Sequence, residues 1–326
     1  MQKHRIQYII LLTVVMLSRQ IGLASVDTWQ LEQGKDWKRV QAKDEDKYLL
    51  TLARTQKLIS TGQTEVLRQE WSQLRKLFPE VEDQDLDTFT EAELLFCEGK
   101  YAKAAKSYDK FLGEDYRESR LYDVALDRQF HIADAFLAGR KKTVLGIIPM
   151  RAYAEGVGIM EKISDDWAPA DATIAVDAAV TVAQHYEERE MFNEAYLKWS
   201  EISWRWETGE IARQALLSMA RNKHAAYQGP KYDASNLKSA RSYYEDFKSR
   251  YPEDADKIGV DDILQQIDEQ LAHKQFSIGQ YYERTGKRQP ANLYYDMVIR
   301  NWPDSKAAEL AKEKLARSLG SEENKK

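Results

Sequence analysis

The chain of 326 residues holds only 15 Gly and 7 Pro, so it needs few turns, while 43% apolar residues are enough for a core. Its 31% charged residues suit long solvated helix faces, and a mean hydropathy of -0.64 excludes a polytopic membrane protein. A net charge of -5, a pI near 5.7 and no basic stripe argue against nucleic-acid wrapping, and the single cysteine excludes an internal disulfide.

At the N-terminus, Lys3, His4 and Arg5 precede an apolar run from Tyr8 to Leu17, followed by Gly22-Leu23-Ala24. Basic, apolar and small segments in that order read as a secretory signal over residues 1–24, and the run is too short to favour a spanning helix. The other reading is an uncleaved anchor, since Arg19 and Gln20 interrupt the approach to the cleavage site. Either way the body lies outside the cytoplasm, in the periplasm or at the periplasmic face of an outer membrane. No cysteine follows the signal to carry a lipid, because the only one is Cys97, read as a small buried thiol inside a helix. Residues 25–43, with Trp29 and Trp37 among polar residues, lack a helical period and read as an extended lead-in.

A spacing code then recurs. Gly62, Leu67, Trp71, Leu74 and Pro79 stand at offsets 0, 5, 9, 12 and 17, and Gly286, Ala291, Tyr295, Val298 and Pro303 repeat those offsets, with Gly279 and Tyr282 upstream. Gly permits positive φ at a turn, a small residue five later admits a close second helix, the next two continue one helical face, and Pro stops it. That is the pattern of a tetratricopeptide repeat, a helix-turn-helix unit of about 34 residues. Such units cannot bury their apolar faces alone and stack into a superhelix. The expected fold is therefore all-α, an α-solenoid of about six such repeats.

Repeat one covers about residues 44–79 and repeat two about 85–116, with Gly99, Ala104 and Tyr108 in register. Repeat three has Ala133 and Phe136, an insertion near residues 140–150, then Gly156, Met160 and Ile163, closing at Trp167. Together these make an N-terminal block, 44–167. Repeat four, with Ala183, Ala195 and Trp199, needs no insertion; repeat five has one around Gly229-Pro230, before a helix ending at Pro252; repeat six begins near Val260. These make a C-terminal block, 168–319, followed by a tail, 320–326, read as disordered. Aromatic residues at the repeat ends, Phe78, Trp167, Trp206, Tyr251 and Trp302, are placed to seal the seams.

Between Tyr232 and Leu315, the runs Tyr251-Pro252, Gln270-Leu271-Ala272, Tyr281-Tyr282-Glu283-Arg284-Thr285-Gly286 and Trp302-Pro303 resemble the BamD family, periplasmic lipoproteins of the outer-membrane β-barrel assembly machinery. The insertion in repeat five is similar too. The resemblance implies a scaffold without chemistry or cofactor, whose C-terminal repeats hold the barrel-forming insertase and whose N-terminal repeats receive the C-terminal signal of unfolded outer-membrane proteins. Two departures stand against it. The family's lipidated cysteine has no counterpart, which leaves peripheral membrane association open, and the family has five repeats rather than six.

If the first helix of each repeat lines a groove, its candidates are Leu52, Gln56 and Ile59, then Phe89, Glu93 and Phe96, then Phe130, Asp134 and Leu137. An apolar groove with single polar groups suits an extended segment ending in aromatics. The other reading is that these side chains only pack between repeats.

The sequence offers no catalytic, metal or cofactor site. His4, His131, His185, His224 and His273 have no ligand spacing, and Gly156-Val157-Gly158 reads as close helix packing rather than a dinucleotide fingerprint. Neither Asp83-Asp85-Asp87 nor Asp254-Asp256-Gly259 completes a calcium loop. A competing adaptor role, coordinating cell-wall synthesis or envelope constriction, would bring an N-terminal coiled coil, and residues 26–44 show no heptads. A solenoid-fronted lytic transglycosylase would need a catalytic domain for which the repeats leave no room.

Overall fold

The structure, a computed structural model, describes residues 28–31, 37–40, 66, 68–69, 72, 84–113, 116–119, 121–144 and 148–323. It divides into two units, Met1–Val81 and Glu82–Lys326. In the first, β1 (Thr28–Leu31) pairs antiparallel with β2 (Trp37–Val40), placing Trp29 opposite Arg39 and Leu31 opposite Trp37. Two segments of the lead-in, residues 28–31 and 37–40, are thus paired strands. Gly62, Trp71 and Pro79 of the first repeat, and the groove candidates Leu52, Gln56 and Ile59, lie outside the described residues.

The second unit is a stack of helical hairpins. Repeat two is α1 (Gln84–Cys97) with α2 (Tyr101–Gly113), and repeat three is α3 (Tyr122–Leu137) with α4 (Tyr153–Lys162), which ends in a π-helical turn, Ile163–Trp167. Repeat four is α5 (Thr173–Glu188) with α6 (Phe192–Arg205), and repeat five is α7 (Gly209–Ala225) with α8 (Ser235–Arg250). A short α9 (Pro252–Ile258), with Pro252 in its first turn, leads to α10 (Val260–Arg284) and α11 (Arg288–Asn301) of repeat six, and α12 (Lys306–Glu323) closes the stack. From α1 to α8 each helix packs on the next, α8 packs on α10, and α12 packs on both α10 and α11.

The code acts as its chemistry requires. Gly99 and Gly286 take φ of 72° and 76° at the turns, and the small residues five later, Ala104 and Ala291, are buried where the paired helices meet. In repeat four the same turn position, five before buried Ala195, is Glu190, at φ 57°. A side chain there strains the backbone that glycine would not. Gly279 lets the Tyr295 ring lie against the α10 backbone, and Gly156 does the same for Leu137 against α4.

Two features went unforeseen. The insertion of repeat three is a β-hairpin, β3 (Lys141–Val144) antiparallel to β4 (Ile148–Arg151). Helix α12 continues past Leu319, where the sequence reading begins a disordered tail. Buried Ala307, Ala308 and Ala311, with Leu315 beside them, seat the helix, and it propagates beyond its last anchor.

Candidate protein-binding surface

Three repeats share a polar joint at one place. The aromatic residue four after the small one on the second helix donates to a carboxylate on the first: Tyr108 hydroxyl to Glu93 at 2.5 Å, Trp199 Nε1 to Glu187 at 2.7 Å, and Tyr295 hydroxyl to Glu283 at 2.8 Å. Each carboxylate also accepts from the next unit: Arg128 of α3 at 2.9 Å, Asn222 of α7 at 2.5 Å, and Lys314 of α12 at 2.9 Å. Glu187 and Glu283 stand twelve residues before their aromatic donor, whereas Glu93 stands fifteen before, one helical turn earlier. Burial, then the facing carboxylates Glu93 and Glu283, push the Tyr108 and Tyr295 phenols above their ordinary range. The joints hold successive repeats in register while apolar packing supplies the stability. Trp302 packs against both the core formed by α7, α8 and α10 and the core formed by α10, α11 and α12, so that aromatic does seal a seam.

These joints decide the groove residues. Glu93 is 1% exposed and committed to Tyr108 and Arg128. Phe89 is buried between the Tyr108 and Phe111 rings, at 6.0 and 5.7 Å, and Leu137 is buried against α4. The packing reading therefore holds for Phe89, Glu93 and Leu137, which cannot line an open groove. Phe96 and Phe130 are half-buried and Asp134 is exposed. Phe96 stacks on Tyr101 at 5.1 Å, with the Arg128 guanidinium 5.1 Å from the Phe96 ring centroid and the Arg140 guanidinium 3.8 Å from that of Tyr101. The open face of α3 carries Asp123, Asp127, His131 and Asp134 at helical spacing, with His131 3.6 Å from Asp127. The open face of α3 is thus acidic, with half-buried Phe130 beside it.

Among the described residues, the C-terminal block also exposes several large apolar side chains. On α6, Leu197 is 64% and Trp204 81% exposed, one face apart by two turns; on α11, Leu293 is 59% exposed, with Met297 one turn on. Leu197 and Leu293 occupy the same position, two after Ala195 and Ala291, so both second helices present a leucine outward. Tyr232, Tyr281 and Leu310 of the same block are exposed as well. Helical periodicity gave no reason to single these out, since isolated surface leucines are common; only the recurrence of Leu197 and Leu293 at one repeat position carries a signal.

Cys97 is half-buried, and its thiol is pushed up to about 11, first by burial and then by Glu93, which keeps it protonated and inert. Asp254 pairs with Arg213, which holds its carboxyl below the usual range. Among the described residues no group of three His, Cys, Asp or Glu side chains is gathered to hold a metal, and no helix is long and apolar enough to cross a membrane.

Residues 275–305, the end of α10 and all of α11, match the family model of the tetratricopeptide repeat. No curated protein matches the chain. Solved structures that are similar include the C-terminal part of a tetratricopeptide-repeat protein from Cytophaga hutchinsonii, at 15% identity over 81% of this chain and 86% of that one, TM-score 0.38. PilW, a type IV pilus biogenesis factor, is 15% identical over 82% of this chain and 99% of its own, TM-score 0.29. YrrB, a tetratricopeptide protein with an unusual peptide-binding site, is 16% identical over 73% and 96%, TM-score 0.27. At these identities and scores none of the three bears on what this chain binds. Helix order, the spacing code and the matched repeat make the chain an all-α tetratricopeptide-repeat solenoid. Its class is the protein-interaction scaffold, and its partners are proteins.

Proposed function

We propose that the chain is a non-enzymatic adaptor of outer-membrane protein assembly, exported by the signal of residues 1–24 and working at the periplasmic face of the outer membrane. Its C-terminal repeats dock a resident insertase, and the open face of repeats two and three receives unfolded client segments. The observation that carries the docking role is the exposed leucine at one repeat position, Leu197 on α6 and Leu293 on α11, with Trp204 and Met297 exposed on the same two helices, in a block whose residues 232–315 resemble the BamD family. An exposed Trp such as Trp204 is the kind of anchor that a partner pocket takes up, with the leucines widening the apolar contact around it. Client capture rests on less area, Phe96 and Phe130 beside the Asp127, His131 and Asp134 row.

Titration of the full chain with the periplasmic domains of the barrel insertase tests this. Leu197→Glu with Trp204→Glu, and Leu293→Glu with Met297→Glu, should each weaken binding by roughly 30-fold or more, the loss expected of anchor residues. Helicity should be unchanged, because the replaced side chains are exposed. Absence of binding by the wild-type chain would remove the assembly role and leave the scaffold; full binding by both variants would move the dock off these faces.

A further inference from the structure

The hairpin between α3 and α4 concentrates positive charge, of which only Lys142 is paired with a carboxylate among the described residues. Residues 140–151 contain Arg140, Lys141, Lys142 and Arg151 and no acid, in a chain of net charge -5. Strand pairing sets Lys141 directly opposite Arg151, and like charges so placed repel. Lys142 is satisfied by Glu155 of α4, which ties the base of the hairpin to the solenoid. Arg151 donates to the Tyr153 hydroxyl at 2.7 Å, and Arg140 lies over the Tyr101 ring. Among the described residues no carboxylate pairs with Arg140, Lys141 or Arg151. Farther along the hairpin from these cations, Ile148 and Met150 are 54% and 51% exposed; paired with Val144 and Lys142, they project from the face opposite Lys141 and Arg151, so the basic and apolar layers follow one another along the hairpin and not across it. The sequence from Thr143 to Met150 carries no charge at all.

We propose that this hairpin seats the protein on an anionic lipid bilayer, with Ile148 and Met150 entering the interface and Arg140, Lys141 and Arg151 meeting lipid phosphates. A bilayer presents that order of layers, a plane of anionic headgroups over an apolar boundary. It also relieves the Lys141 and Arg151 repulsion without needing an acid aimed at each cation. An acidic protein segment would have to combine fixed carboxylates with an apolar pocket in the same few ångströms. The inference is independent of which protein the C-terminal repeats hold.

Co-sedimentation of the full chain with phosphatidylcholine vesicles, and with vesicles containing about a third phosphatidylglycerol, tests it. The reading is the gain in binding on adding the anionic lipid, which sets aside any apolar contribution common to both vesicles. Wild type should show a gain that falls with salt. Lys141→Gln with Arg151→Gln should reduce that gain about 30-fold, at about fivefold per cation. Ile148→Asp with Met150→Asp should reduce binding at every salt concentration. Met150→Asp alone, remote from the Tyr153 contact, keeps the test sound if the Arg151 variant disturbs α4. No gain for wild type, as an acidic protein occupant would give, overturns the proposal, and so does a gain that all the variants retain.

Discussion

Replacing Gly279 by alanine should destabilise repeat six, although the same change on an open helix stabilises it by about 1 kcal/mol. A Cβ at Gly279 would lie 2.7 Å and 2.8 Å from Cε1 and Cδ1 of Tyr295, closer than carbon atoms can approach. The ring has nowhere to go. It is 1% exposed, flanked by Phe276 at 5.3 Å, and its hydroxyl is held by Glu283. Overpacking of this kind costs about 1–3 kcal/mol, and a shifted ring also gives up part of a hydrogen bond to a charged acceptor, worth about 1.5–3 kcal/mol. After the helix gain is subtracted, a net loss of about 2 kcal/mol remains. Tyr295→Ala removes the obstacle, so in that background Gly279→Ala should stabilise by about 1 kcal/mol, a coupling near 3 kcal/mol between the two sites. Urea unfolding followed by circular dichroism, with amide exchange over residues 288–301, reads both arms of the cycle. The same sign in both backgrounds would refute the reasoning.

Phe89→Ala should cost about 3–5 kcal/mol in the stability of repeat two by emptying the space between Tyr108 and Phe111, and should not act as a selective loss of peptide binding; wild-type thermal unfolding of that variant would return Phe89 to the groove. The Lys314 ammonium, and then the Tyr295 hydroxyl, hold the Glu283 carboxyl below its ordinary value of about 4.3. Its contribution to docking α12 is therefore complete above about pH 4.3 and lost as pH falls through the lower, folded value. Amide protection of α12 should drop over that range in wild type and be flat in Glu283→Gln; parallel profiles would show that another group is responsible.

The repeats were legible because their constraints are local. Gly286, Ala291 and Tyr295 each answer to the geometry of one helical hairpin, so spacing alone fixes their roles. Gly279 was legible for the same reason, and the structure adds only which ring it admits. The groove was not. A first helix in a stack is flanked by its own partner and by the next repeat, so its apolar stripe is wide, and periodicity cannot tell Phe89, which faces the partner, from Phe96 near the edge. The hairpin also escaped, because Lys-Lys-Thr-Val and Ile-Pro-Met-Arg are too short to show alternation and Pro149 counts against a strand. Glu190 illustrates the opposite case, where the fold imposes the turn and the residue yields to it.

The carboxylate joints bear on how such a chain can change over time. Arrays of repeats commonly grow or shrink by copying a unit, which works when every seam is alike. Here Glu93 needs an arginine from its successor, Glu187 an asparagine and Glu283 a lysine, and the first sits a helical turn out of step with the others. A duplicated or transposed repeat would face a neighbour with the wrong donor at the wrong height, leaving at Glu93 a buried charge without its counterpart. The units are therefore numbered parts rather than interchangeable ones, and the length of this solenoid is fixed by its seams.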